Sequence, residues 1–129
     1  MHRIEFLKTE DKDRYYVIIG DKVSGEVFMQ QYGNYVALSH IDIYKEYRGY
    51  GYGKLIVGAI LDMPRVDAIV GESLKTSTKF WNSCISTYGG YTTKQGRLFA
   101  NTAFAFVVGT DEELDTDLFN KLLQMSAEH

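Results

Sequence analysis

The string Arg48-Gly49-Tyr50-Gly51-Tyr52-Gly53-Lys54 is where this sequence comes nearest to chemistry, because three alternating glycines between an extended run and a helical one can hold phosphate. Residues 35–44 before it are rich in β-branched and aromatic side chains, whereas 55–63 repeats its apolar residues at helical spacing. At such a junction the first helical amides lack internal partners, and glycine admits an anion to the backbone with no Cβ in the way. A plain glycine-rich turn has the same spelling. The choice between them depends on the elements that flank the string.

Those elements read as strands first and helices later. Residues 2–8 and 14–20 are strand candidates, 20–25 is polar and turn-like, and 26–32 completes a hairpin before Gly33-Asn34 turns into 35–44. Leu55, Ala59 and Met63 share a helical face with Ile56 and Ile60 beside them, and Pro64 marks the stop. The apolar run 66–71 is then expected as a strand parallel to 35–44, reached through that crossover helix. A second helix is expected over 76–88, with Phe80 and Cys84, and Trp81, Ile85 and Tyr88, forming its stripe and Gly89-Gly90 ending it. Residues 91–94 and 97–108 read as a hairpin around Gln95-Gly96. Thr110 and Glu113 have capping-box spacing for a last helix bearing Leu114, Leu118, Leu122 and Met125.

Bulk properties narrow the function classes. The 129 residues fit one domain, 1–129, and 45% hydrophobic residues with a lone proline argue against disorder. The net charge of −3 is uneven, since 111–129 holds six acidic side chains and one lysine. No nucleic-acid footprint follows from that balance, although an anionic cofactor could be held locally. The single cysteine, Cys84, excludes an internal disulfide, and three scattered histidines without HExxH or CxxC spacing make a metal site unexpected. With no 18-residue apolar run and a charged start, neither a membrane span nor a signal peptide is expected, and the default location is cytoplasmic.

Two phosphate motifs fail at the glycine string. A dinucleotide fingerprint needs GxGxxG early in a βαβ unit, and a nucleotide-triphosphate loop needs GxxxxGK followed by Ser or Thr, whereas Leu55 follows Lys54. The stretch from Ile43 to Lys54 instead resembles the acetyl-CoA motif of the GNAT superfamily of N-acetyltransferases. The core of that motif is Arg or Gln, two residues, Gly, one residue, then Gly or Ala; Arg48, Gly51 and Gly53 fill those positions. The resemblance runs over about 35–90, where Phe80-Trp81 and Tyr88-Gly89-Gly90 look like a second conserved block.

The resemblance implies an α+β fold of the α/β acyltransferase kind: a mixed, mostly antiparallel sheet with a splayed parallel pair, flanked by helices. It also implies acetyl-CoA as cosubstrate. Amides of Gly49, Tyr50, Gly51, Tyr52, Gly53 and Lys54 would cradle its pyrophosphate, and backbone near Ile43 would pair with its pantetheine arm. Arg48 either binds phosphate or braces the turn; Lys54 either adds charge there or is a surface lysine. The implied reaction is direct acetyl transfer to a primary amine, on a protein or a small molecule, needing a proton acceptor, oxyanion donors and an acid for the thiolate.

Residues for that proton path are less defined. The family's usual acid is a tyrosine where this chain has Trp81, whose indole cannot serve, leaving Tyr88 two turns on as the substitute or as a packed helix-end residue. Glu72, expected at the end of the second parallel strand, and His40, sharing a strand face with Asp42, are the base candidates beside ordered water. Only 9–14 separates the first two strands, so the one or two helices that family members usually carry there are missing. The acceptor side is therefore expected to be more open or completed by another subunit, as in a homodimer. The rival function is a catalytically inactive acyl-CoA-binding or protein-interaction module on the same fold.

Overall fold

The computed structural model describes residues 3–94 and 101–128. Seven strands among them form one sheet: β1 (Ile4–Lys8), β2 (Arg14–Ile19), β3 (Lys22–Tyr32), β4 (Tyr35–Ile43), β5 (Ala68–Leu74), β6 (Gly90–Thr93) and β7 (Thr102–Val108). Their spatial order is β1-β2-β3-β4-β5-β7-β6. Every neighbouring pair is antiparallel except β4 and β5, which run parallel as expected from the crossover. Helix α1 (Tyr52–Leu61) makes that crossover, α2 (Thr78–Tyr88) follows β5, and α3 (Thr116–Ser126) closes the described chain. The expected mixed, mostly antiparallel α+β sheet is thus present. The expected Gln95-Gly96 turn, the start of the 97–108 arm, His2 and His129 lie outside the described residues.

The sheet has two covered faces. On one, Ile56, Val57 and Ile60 of α1 and Trp81 and Cys84 of α2 pack on Val17, Val27, Val36, Ile69 and Phe106. On the other, Phe119, Leu122, Leu123 and Met125 of α3 pack on Ala37, Ala68, Val70, Ala105 and Val107. Each buried Val, Leu, Ile, Phe or Met side chain among them contributes about 1.5–3 kcal/mol of transfer free energy. The buried stripe of α1 is shifted from expectation: Leu55 is 44% exposed, because Ile56, Val57 and Ile60 are the residues facing the sheet.

Several element ends differ from the sequence reading for local reasons. Residues 22–25 belong to β3, and the turn is confined to Gly20 and Asp21. Gly25 serves strand pairing, since a Cβ there would run into the Asp42 carbonyl oxygen of β4. Helix α1 starts three residues earlier than expected and α2 two residues later, while β5 extends to Leu74 and so carries Glu72 within the strand. The cap of α3 is Asp115, whose carboxylate accepts from the Leu118 amide at 3.2 Å. Thr110 accepts from the Glu112 amide instead, and Leu114 precedes the helix.

The loop from 9 to 13 between β1 and β2 contains no helix. Helix α3 lies across β3, β4 and β5 on the face opposite α1 and α2. Gln30 of β3 fixes its end, donating to the Met125 carbonyl at 3.3 Å and the Glu128 carboxylate at 3.1 Å.

Candidate active site

The glycine string folds into a short 3-10 turn at Lys45–Tyr47 followed by an irregular loop into α1. Gly51 caps α1 in the left-handed region, at φ +77°, and no side chain caps the helix. A Cβ on Gly51 would meet nothing within 4 Å, so the loop faces open space rather than packed atoms. Uncapped first-turn amides beside an open left-handed glycine make a site an anion can approach. Gly53 has the other reason to be glycine: a Cβ there would stand 2.8 Å from the Phe80 ring.

The charged residues of the string are engaged elsewhere. Arg48 donates through Nε to the Ile43 carbonyl at 2.7 Å and lies 3.4 Å from Asp42, so it braces the turn and its contacts engage the end of β4. Lys54 donates to Ser83 of α2 at 3.0 Å. Tyr50 and Tyr52 stack with ring centroids 5.7 Å apart, and Tyr50 is 68% exposed at the mouth of the loop.

Beside the loop the sheet opens. Strands β4 and β5 pair only through Tyr35 with Ala68, Val36 with Ile69 and Ala37 with Val70. Beyond these, β4 continues against β3 and β5 against β7, and among the described residues β4 and β5 pair no further. The β3 ladder shows one cause: Phe28 pairs with His40 but Met29 with Leu38, so Ser39 is an extra residue. Such a bulge bends its strand and increases local twist. It also inverts the alternation of β4, since Val36 and Leu38 join the α1 and α2 core, and so do Ile41 and Ile43 beyond the bulge.

A cleft of about 410 Å³ fills the opening on the α1 and α2 side, floored by Phe80, Trp81 and Phe106 and edged by Ile43, Arg48 and Gly53. Trp81 stacks on Phe106 at 3.8 Å and takes Phe80 edge-on at 4.9 Å, a packed wall with 8% of Trp81 exposed. A groove of about 300 Å³ lies on the α3 side. Leu38, Ser39, His40, Glu72 and Leu74 line both, so the strand gap joins them.

Glu72 and His40 are therefore brought together at the gap, with Ile43, Arg48 and Gly53 along the same cleft. Tyr88 is not: its hydroxyl donates to the Lys54 carbonyl at 2.7 Å, and its ring lines a separate groove between β1 and α1. Burial pushes its phenol above the usual tyrosine range. Cys84 is buried in the α1 and α2 core, and burial raises its thiol to about 11. Ser39 is the residue that sequence reasoning missed. Its hydroxyl is buried at the gap without a hydrogen-bond partner among the described residues, and no periodicity announces a bulge.

No protein-family model matches the sequence, and no curated protein does. Solved structures are similar. An acetyltransferase from Bacillus subtilis in complex with CoA shares 12% identity at a TM-score of 0.57, over 85% of this chain and 99% of that one. A diaminobutyrate acetyltransferase from Paenibacillus lautus, in complex with L-2,4-diaminobutyric acid and coenzyme A, shares 10% at 0.54, over 76% and 70%. N-acetylglutamate synthase from Neisseria gonorrhoeae, with coenzyme A and N-acetyl-glutamate, shares 12% at 0.54; the match covers 80% of this chain but 28% of that one. At these identities the likeness is one of fold.

Proposed function

From a chain with the GNAT acetyltransferase fold, we propose an N-acetyltransferase that moves acetyl from acetyl-CoA directly to a primary amine, with residues 35–90 as its cofactor-binding core. The observation that carries the reading is the continuity of the open glycine loop with the gap between β4 and β5. The residues present fit the group: an anion meets the Gly51 cradle and uncapped α1 amides, and an amide-bearing arm meets the unpaired edge of β4. The chain is on this reading a compact form of the fold, without helices between β1 and β2.

When bound, acetyl-CoA supplies an acetyl group activated as a thioester, whose carbon–sulfur bond breaks as the carbon–nitrogen bond forms, the sulfur leaving as thiol. Residues 49–54 hold its diphosphate, with Arg48 fixing the loop and Ile43 anchoring the strand end. An alkylammonium sheds two protons in becoming an amide. Glu72, at the gap, accepts the first and passes it to solvent, while His40 orients the water that carries it. The Ser39 hydroxyl lies at the gap, where it would pass the second to the departing sulfur, giving the thiol. Trp81 and Phe106 shape the cleft and exclude water. Tyr88 stays outside the chemistry, holding α2 to α1.

Calorimetry with acetyl-CoA and CoA, followed by thiol release with a panel of amines, tests the proposal. Saturable binding and acceptor-dependent release support it. Binding without turnover, together with a stable protein complex, would favour the inactive module, and no binding of either ligand would remove the donor site.

A further inference from the structure

We propose that the aromatic stack of Phe80, Trp81 and Phe106 is an acyl-length gauge, with Trp81 the specificity-determining residue that holds the donor to an acetyl group. The inference deepens the acetyl-transfer reading and rests on it for the donor's place in the cleft. Its first support is how the stack is fastened at both ends. Gly71 is the β5 residue that follows the last pair between β4 and β5, Ala37 with Val70, and on its other side it pairs with Phe106 of β7. The Phe106 ring lies over it: a Cβ on Gly71 would stand 2.7 Å from that ring and 2.8 Å from the Leu38 carbonyl oxygen. Phe106 therefore sits at the root of the strand gap. At the far end, a Cβ on Gly53 would stand 2.8 Å from the Phe80 ring. Two glycines, one at the gap and one in the first turn of α1, thus let the outer rings sink against backbone.

The tightness of the stack is the second support. Trp81 lies on Phe106 with centroids 3.8 Å apart and planes 17° from parallel, and Phe80 meets Trp81 edge-on at 4.9 Å. Phe106 is 1% exposed. Side chains packed this closely resist added volume, because making room forces rotamers and backbone out of their minima. An acyl chain on this floor finds no passage between Trp81 and Phe106, and backbone closes the space behind Phe106. The cleft continues instead through the gap at Ser39 and His40, which the amine must also reach. A longer chain is therefore pressed against the stack or driven into the gap.

The chemistry of the wall is the third. Ring faces read size and shape, and one methylene too many against an apolar wall is worth a discrimination of about tenfold or more. Where the resembled family places a tyrosine as acid, Trp81 on this reading measures the acyl group.

The test is calorimetry on the full chain with CoA, acetyl-CoA, propionyl-CoA and butyryl-CoA. Acetyl-CoA is expected to bind at least as tightly as CoA, propionyl-CoA about tenfold more weakly than acetyl-CoA, and butyryl-CoA more weakly still. Trp81→Leu, which takes away the middle ring of the wall, is expected to bring butyryl-CoA within about threefold of acetyl-CoA, each measured against CoA on that variant. Because Trp81 is the single tryptophan, its emission gives a second reading. A saturable change is expected with acetyl-CoA, of different amplitude from the change with CoA. A flat series, tighter binding of the longer chains, a length profile that Trp81→Leu leaves unmoved, or identical emission changes with CoA and acetyl-CoA overturns the proposal. If Trp81→Leu does not fold, the series and the emission of the natural chain decide. A chain that binds CoA but shows no length preference loses only the gauge, whereas failure to bind CoA counts against the donor site.

Discussion

The Tyr88 hydroxyl donates to the Lys54 carbonyl oxygen at 2.7 Å, tying the last turn of α2 to the first turn of α1. This bond uses a carbonyl near the helix start and keeps the phenol away from the strand gap. Tyr88→Phe is expected to lower stability by about 1 kcal/mol and leave acetyl transfer unchanged. Thermal melting and kcat/KM check it; a large loss of turnover at normal stability would return Tyr88 to the chemistry.

Gly51→Ala tests the anion cradle. The left-handed φ of +77° makes any side chain cost about 1–2 kcal/mol there, so a lower melting temperature is expected. The added Cβ also projects into the open space at the loop. Loss of one charge-assisted hydrogen bond, about 1.5–3 kcal/mol, weakens CoA by roughly tenfold or more. Calorimetry on the folded variant reads this directly, and an unchanged Kd would remove phosphate from the loop.

Glu72→Gln preserves shape and removes the proposed proton acceptor. A fall in kcat/KM of about 10²–10⁴-fold is expected, with CoA affinity retained. Turnover within a few-fold of the natural chain would leave ordered water as the acceptor.

Cys84 should resist alkylation in the folded chain at pH 8, because burial raises its thiol from the ordinary 9.0 to about 11. The sign of the linkage follows. Below pH 9 both folded and unfolded thiols are protonated; between 9 and about 11 only the unfolded one ionises, so stability is lost as pH rises through that window. Denaturant midpoints at pH 8 and pH 10.5 measure it. Cys84→Ser should flatten the part of the decline due to this thiol, and rapid labelling of the native chain would contradict its burial.

The meander, the crossover and the glycine loop were legible because each depends on neighbouring residues. The aromatic and β-branched run in 14–19, helical spacing around Ile56 and Ile60, and the alternating glycines are local patterns with local causes. The last helix shows where that reasoning weakens. Thr110 and Glu113 have the spacing of a cap, but Asp115 holds the position, since packing of Phe119, Leu122 and Leu123 on the sheet fixes where α3 can begin. Gly25 likewise reads as a turn residue until Asp42 of the neighbouring strand is placed beside it.

The sequence by itself determined the order of elements and the loop that can receive an anion, because 35–61 carries both within one continuous stretch. Only the tertiary structure decided which groups face the strand gap. The bulge at Ser39 turns Ile41 and Ile43 onto the α1 and α2 core and leaves His40 lining the α3-side groove, the parting of β4 from β5 beyond Ala37 opens the gap, and α3 arrives from the far end of the chain to wall its second side. These are cross-strand registers and long-range contacts. They arise where segments distant in sequence must share one surface, so no periodicity within any single segment records them.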